Sequence, residues 1–156
     1  IPPRIVKATI EADGTRTDEQ EPNGIQVVSP ETARTVRNML RAVVQRDPMG
    51  TQQGTAPAAA VAGYQVAGKT GTAQQINPGC GCYYDDVYWI TFAGMAPVED
   101  PRYVIGIMMD APLRNADGTP GHSAAPLFHN LAGWLLQREN VPLSPDPGPP
   151  LTLETA

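Results

Sequence analysis

Gly63-Tyr64-Gln65-Val66-Ala67-Gly68-Lys69-Thr70-Gly71-Thr72-Ala73-Gln74 can be read in two opposed ways, and each implies a different protein. Its centre, Lys69 to Thr72, sets a cation, two hydroxyls and a residue without a side chain in consecutive positions, a combination suited to gripping an anion beside accessible backbone. By letters it is a phosphate loop, since Gly63, the intervening residues and Gly68-Lys69-Thr70 satisfy that pattern. The opposed reading is an edge strand whose lysine and hydroxyls are placed to grip a carboxylate.

The flanks separate the two. A phosphate loop runs from a buried strand through a Gly-rich turn into a helix whose N-terminal amides hold the phosphates. Here Tyr64-Gln65-Val66-Ala67 themselves resemble strand, and Gly71, Gln74, Gln75, Asn77, Pro78 and Gly79 make a poor helix start. We therefore expect a strand over 64–72, with a P-loop nucleotide binder as the remote alternative.

Downstream, Tyr83–Asp86 reads as a loop. Val87–Ala96 and Arg102–Ala111 then read as a hairpin joined through Pro97-Val98-Glu99-Asp100-Pro101. Both faces of 103–109 are mostly apolar, which predicts a central strand covered on both sides. Trp89 and Phe92 read as core. A loop over 112–122 leads to Ser123, a helix cap, with Pro126 in the first turn and a stripe of Leu127, Phe128, Leu131, Trp134 and Leu135. Five prolines fall within Pro142–Pro150, so 141–156 is expected to be an extended or disordered tail.

Upstream, Arg4–Ile10 is β-branched and predicts a strand, Asp13-Gly14 a turn, and Thr15–Gly24 a solvated linker. Ile25–Val28 is a short strand candidate. Ser29-Pro30-Glu31 opens a helix, with a hydroxyl cap, proline at the first position and an acid at the positive dipole end. Ala33, Val36, Leu40, Val43 and Val44 follow helical spacing, and Pro48 places the end near Arg46. Arg34, Arg37 and Arg41 read as a solvated face, and 49–62 as a loop.

Composition narrows the class. With 156 residues, 41% of them hydrophobic, the chain is long enough for one domain with a core, and 17 prolines and 15 glycines imply much turn and coil. A net charge of −5 without a basic block argues against a nucleic-acid partner. No apolar run approaches the ~20 residues that span a bilayer. Ile1-Pro2-Pro3-Arg4 is neither an initiator methionine nor a signal peptide, so we expect the chain to begin inside a larger protein. The two cysteines, in Cys80-Gly81-Cys82, are too few and too close for a zinc site of usual spacing. Either a local disulfide or two free thiols fits them.

Read as a strand, the central run falls into register with other motifs: Gly54-Thr55-Ala56 upstream, then Phe92-Ala-Gly-Met-Ala-Pro97 and Ala124-Ala-Pro-Leu-Phe128. With the helix opening Val28–Ala33, residues 1–140 resemble the C-terminal part of the transpeptidase domain of class B (monofunctional) penicillin-binding proteins. The Pro-rich tail lends an actinobacterial cast. The resemblance implies an α+β fold, an antiparallel sheet of at least three strands with the motif strand at its edge, packed by helices. By resemblance Lys69 and Thr72 are catalytic and Lys69, Thr70, Gly71 and Thr72 bind substrate. Lys69 would hydrogen-bond the serine of a second motif, the two threonine hydroxyls would hold a carboxylate, Gly71 would leave room for the substrate backbone, and the Thr72 N–H would serve the oxyanion hole.

The resemblance further implies a serine-type D,D-transpeptidase acting on peptidoglycan stem peptides, acylated by β-lactam antibiotics, without metal or organic cofactor. It would stand outside the cytoplasmic membrane on an anchor absent here, beside cell-division or elongation proteins. One departure is large. The serines are Ser29, Ser123 and Ser144, and none stands three residues before a lysine or begins Ser-x-Asn. Acyl-enzyme chemistry needs that nucleophile, so the chain is expected to be inactive without a serine-bearing N-terminal half. Cys80, Cys82, His122, His129 and the pair Asp85-Asp86 show no arrangement that could replace it. The competing reading is a non-catalytic β-lactam sensor or interaction domain.

Overall fold

A computed structural model describes residues 3–47, 49–112, 124–146 and 151–153. The chain divides into two compact units, Ile1–Ala33 and Arg34–Ala156.

In the first unit, β1 (Ala8–Ile10) pairs antiparallel with β2 (Arg16–Asp18), Thr9 standing opposite Thr17. The Asp13-Gly14 turn forms as its chemistry requires. The Asp13 carboxylate accepts the Thr15 N–H at 2.8 Å, and Gly14 takes φ 88°, a region that disfavours side chains. Arg4 braces the hairpin by donating to the Glu19 carbonyl at 2.9 Å and the Glu21 carboxylate at 2.8 Å. Two expectations change. The stretch read as a solvated linker contains β2, and the first strand is confined to 8–10. Ile25–Val28 is not a strand: Ile25 and Val27 are 80% and 86% exposed, and this run has no ladder partner among the described residues. A lone short run cannot satisfy its backbone as a strand.

α1 (Pro30–Arg41) starts where Ser29 predicts, its hydroxyl accepting the Thr32 N–H at 3.1 Å. It ends earlier than expected, tightening into a 3-10 turn at Ala42–Val44. The returning chain explains this. Ala56 and Gly54 donate their N–H groups to the carbonyls of Val43 (2.8 Å) and Gln45 (3.0 Å), and a Cβ on Gly54 would collide with the Ala42 carbonyl. A second 3-10 turn follows at Pro57–Ala59.

The second unit is organised by an antiparallel sheet in the order β3 (Ala67–Asn77), β4 (Cys82–Ala96), β5 (Tyr103–Asp110). Thr70 lies opposite Phe92, and Phe92 opposite Ile107, which sets one face for the core. The motif strand is longer and later than predicted, and Tyr83–Asp86 belongs to β4 rather than a loop. Both strands run on past the core into a two-stranded arm whose ladder hydrogen bonds need no burial. Among the described residues β5 pairs with β4 alone rather than lying between two strands as expected: Ile105 is buried, but Val104 and Met108 on its other face are 80% and 70% exposed.

α2 (Ala124–Arg138) lies on the core face, turned from the orientation its largest residues suggest. Ala125, Phe128, Ala132 and Leu136 are buried, whereas Leu127, Leu131 and Trp134 are exposed. Close approach is the cause. Gly94 has no side chain, a Cβ there would lie 2.6 Å from the Phe128 ring, and alanines let the helix settle onto that gap. Trp89, read as core, is half-buried, while Phe92 is fully buried. Residues 141–146 carry no helix or strand yet are tied down. Tyr64 Oη donates to the Val141 carbonyl at 2.7 Å, and the Gln65 N–H to Ser144 Oγ at 2.9 Å. Residues 113–123, with His122, Ser123 and most of the expected loop, lie outside the described residues.

Candidate active site

Among the described residues β3 pairs with β4 alone, so β4 satisfies only half of its backbone groups, and alternate residues present theirs along an open edge. Thr70 and Thr72 share the face of Phe92 and Ile90, toward α2; Lys69 and Gly71, opposite Ala93 and Thr91, share the other. Lys69 is exposed, and its Nζ donates to the Thr70 carbonyl at 2.9 Å and to Thr70 Oγ1 at 3.3 Å. An ammonium that reaches a hydroxyl from the opposite face has wrapped over the strand, so cation and hydroxyl meet at one stretch of β3. Thr72 is exposed as well, and Gly71 half-buried. Lys69 to Thr72 thus form a contiguous polar surface backed by the core residue Phe92.

The phosphate-loop reading fails on geometry. Gly68-Lys69-Thr70 lies within β3, which continues to Asn77 with no helix after it. No helix N-terminus is available there to hold a phosphate.

Other reactive residues do not join the motif. Ser29 caps α1, and the Ser144 hydroxyl accepts the Gln65 N–H, so both described serines have backbone duties. Cys80 and Cys82 settle their open alternative as a disulfide, Cα atoms 5.3 Å apart, around Gly81 at φ 67° in the β3–β4 turn. His129, expected on the helix surface, is half-buried and places Nδ1 against the Ala60 carbonyl; facing an acceptor, that nitrogen carries the proton. Asp85 and Asp86 are exposed. Among the described residues no group of His, Cys, Asp and Glu could hold a metal ion, and no helix is long and apolar enough to cross a membrane.

An edge strand bearing Lys-Thr-Gly-Thr, in an antiparallel sheet whose other strands carry a packed helix, is the arrangement the resemblance implied, and comparison with known proteins bears on it directly. Residues 1–133 match the family described as penicillin binding protein transpeptidase domain. The chain belongs to this family.

It is 78% identical over 154 residues to penicillin-binding protein PbpB of Mycolicibacterium smegmatis, covering 99% of this chain and 24% of that protein. Against PbpB of Mycobacterium tuberculosis the identity is 76%, covering 99% and 23%. The crystal structure of penicillin binding protein 3 from Mycobacterium tuberculosis complexed with ampicillin superposes with a TM-score of 0.88 at 75% identity, covering all of this chain and 34% of that one. The same protein complexed with aztreonam gives 0.87 at 72% identity, with the same coverage. The chain is thus part of a class B penicillin-binding protein transpeptidase domain, and spans about a quarter of the length of its mycobacterial relatives.

Within this transpeptidase segment, Thr91 is the site neighbour that sequence reading passed over. Directly opposite Gly71, its Oγ1 occupies the space a side chain at 71 would need. The residue was legible as one more β-branched strand former. Its role depends on cross-strand register, which local sequence does not state.

Proposed function

We propose that the chain is the C-terminal portion of a D,D-transpeptidase that cross-links peptidoglycan stem peptides and is acylated by β-lactams, and that it forms one wall of the active site. The observation that carries this reading is the Lys69 ammonium lying with the Thr70 hydroxyl at the open strand β3. An extended acyl-D-Ala-D-Ala peptide adds alongside that edge through main-chain hydrogen bonds. Its carboxylate, or that of a penicillin, accepts from the Thr70 and Thr72 hydroxyls while Lys69 raises the local positive potential. The Thr72 N–H is one donor to the tetrahedral oxyanion, an interaction typically worth ~3–4 kcal/mol of barrier.

The serine nucleophile and its lysine come from the N-terminal part of the same protein, so this chain alone does not acylate. The whole protein acts on the extracytoplasmic face of the membrane, anchored by another segment, alongside cell-division or elongation proteins. The complexes of the mycobacterial relative with ampicillin and aztreonam support β-lactams as ligands.

Fluorescent penicillin tests the reading. We expect covalent labelling of the full-length protein, loss of label when the upstream serine is substituted, and none on this chain by itself. Lys69→Ala in the full-length protein should slow labelling by about a hundredfold, the scale of removing a preorganised electrostatic contact. A full-length protein that takes no covalent label would sink the transpeptidase reading in favour of a non-catalytic sensor or interaction domain.

A further inference from the structure

Gly71, expected to leave room for substrate, has a second neighbour in the structure. Gly71 and Thr91 are direct cross-strand partners, and a Cβ built on Gly71 falls well inside van der Waals contact with Thr91 Oγ1, while the Thr91 Cβ stands 3.7 Å away. The hydroxyl therefore leans across the ladder and covers the Gly71 α-carbon. It does so on the face that also carries Lys69, since Lys69 and Gly71 are two apart. On that face the register sets Trp89 and Ala93 beside Thr91 along β4, Met108 opposite it on β5, and Ala73, Gly106 and Asp110 at its diagonals, where the Asp110 carboxylate accepts the Gln75 side-chain N–H at 2.7 Å. Lys69 is the remaining diagonal neighbour on β3, within the span over which long side chains interact across a pair.

We propose that Thr91 is a positioning residue of this site: it dictates glycine at 71 from across the ladder, and its hydroxyl accepts a hydrogen bond from the Lys69 ammonium when that group leaves the Thr70 carbonyl to face the reacting serine. The inference rests on the transpeptidase reading for its second half only. A lysine on a flexible stem has many rotamers and three donors. Thr70 offers it acceptors within the motif strand, and a single hydroxyl on β4 supplies one on the outer face. Because Thr91 belongs to the central strand, held on both sides by ladders, that acceptor is rigid.

Two measurements on the full-length protein test it. Thermal unfolding addresses the steric half without reference to catalysis. Gly71→Ala should lower Tm, and Gly71→Ala combined with Thr91→Ala should recover most of the loss; equal damage in both backgrounds overturns the coupling. Penicillin acylation rates across pH address the hydroxyl. Thr91→Val, which keeps shape, should slow acylation about tenfold and alter its pH profile, the scale of losing a hydrogen bond to a charged group. Thr91→Ser should restore both. Thr91→Ala, checked for an intact melting transition, serves if the valine variant does not fold. A hydroxyl-free variant that acylates at the wild-type rate with an unchanged pH profile removes the positioning role. Absence of labelling in the wild type overturns the transpeptidase reading itself and leaves the melting result standing.

Discussion

The rings of Phe92 and Phe128 stand 4.9 Å apart and tilted by 58°, joining the central strand to the last helix from directly behind the motif. Both are fully buried, and Phe92 lies opposite Thr70. A Cβ on Gly68 would come within 2.5 Å of the Phe92 ring, so the aromatic also sets how close β3 can lie. Phe128→Ala removes a ring from a site with little freedom to collapse and should cost ~3–5 kcal/mol. Denaturant unfolding of the full-length protein checks this. A loss below ~1 kcal/mol would mean that the pair is not central to packing.

Ser144 holds the segment that enters the motif strand. Its hydroxyl accepts the Gln65 N–H at 2.9 Å, and its own N–H donates to the Gly63 carbonyl at 3.0 Å. Ser144→Ala leaves a half-buried amide unpaired and should cost ~1–2 kcal/mol. Truncation after Asn140 should cost more, because it also removes the Val141 acceptor of Tyr64. Melting temperatures in the order wild type, Ser144→Ala, truncation are expected.

The Cys80–Cys82 disulfide closes a loop too short to restrict the unfolded chain much. On the chain-entropy view its contribution should not exceed ~2 kcal/mol. Alkylation under denaturing conditions should modify neither cysteine without a reductant and both after reduction. The Cys80→Ser/Cys82→Ser variant should melt closer to wild type than Phe128→Ala does.

Asp47 supplies a pH dependence with a defined sign. Its carboxylate accepts the N–H groups of Gln52 (2.8 Å) and Met49 (3.0 Å) and the Thr51 hydroxyl (3.1 Å). These bonds, led by Gln52, hold its pKa below the ordinary 3.8. A carboxyl depressed on folding adds stability that is fully present above its unfolded pKa and is lost as pH falls through the folded value. Asp13, bonded to Thr15, acts in the same direction. Acid titration of unfolding should show stability falling below pH 3.8, with a shallower fall in Asp47→Asn. An identical slope in the variant would remove Asp47 from the acid response.

Features governed by a few neighbouring residues were legible before any coordinates. Ser29-Pro30 opens α1, Asp13-Gly14 turns a hairpin, and Lys69 to Thr72 lie in a strand rather than a phosphate loop, because caps, turn residues and strand propensity act over a few bonds. The motif itself was visible for the same reason, as four adjacent side chains with matched chemistry.

What remained hidden depends on partners distant in sequence. Leu127, Leu131 and Trp134 looked like the inner stripe of α2, but which face turns inward is set by the gap at Gly94, 33 residues before Leu127, and by the Phe92 ring. Apolar residues on both sides of β5 suggested burial on both faces, yet among the described residues only one is covered. Thr91 matters through a register that brings it over Gly71 and onto the face of Lys69. Composition states that a residue is apolar or small, whereas packing decides which of several apolar faces closes and which glycine is indispensable.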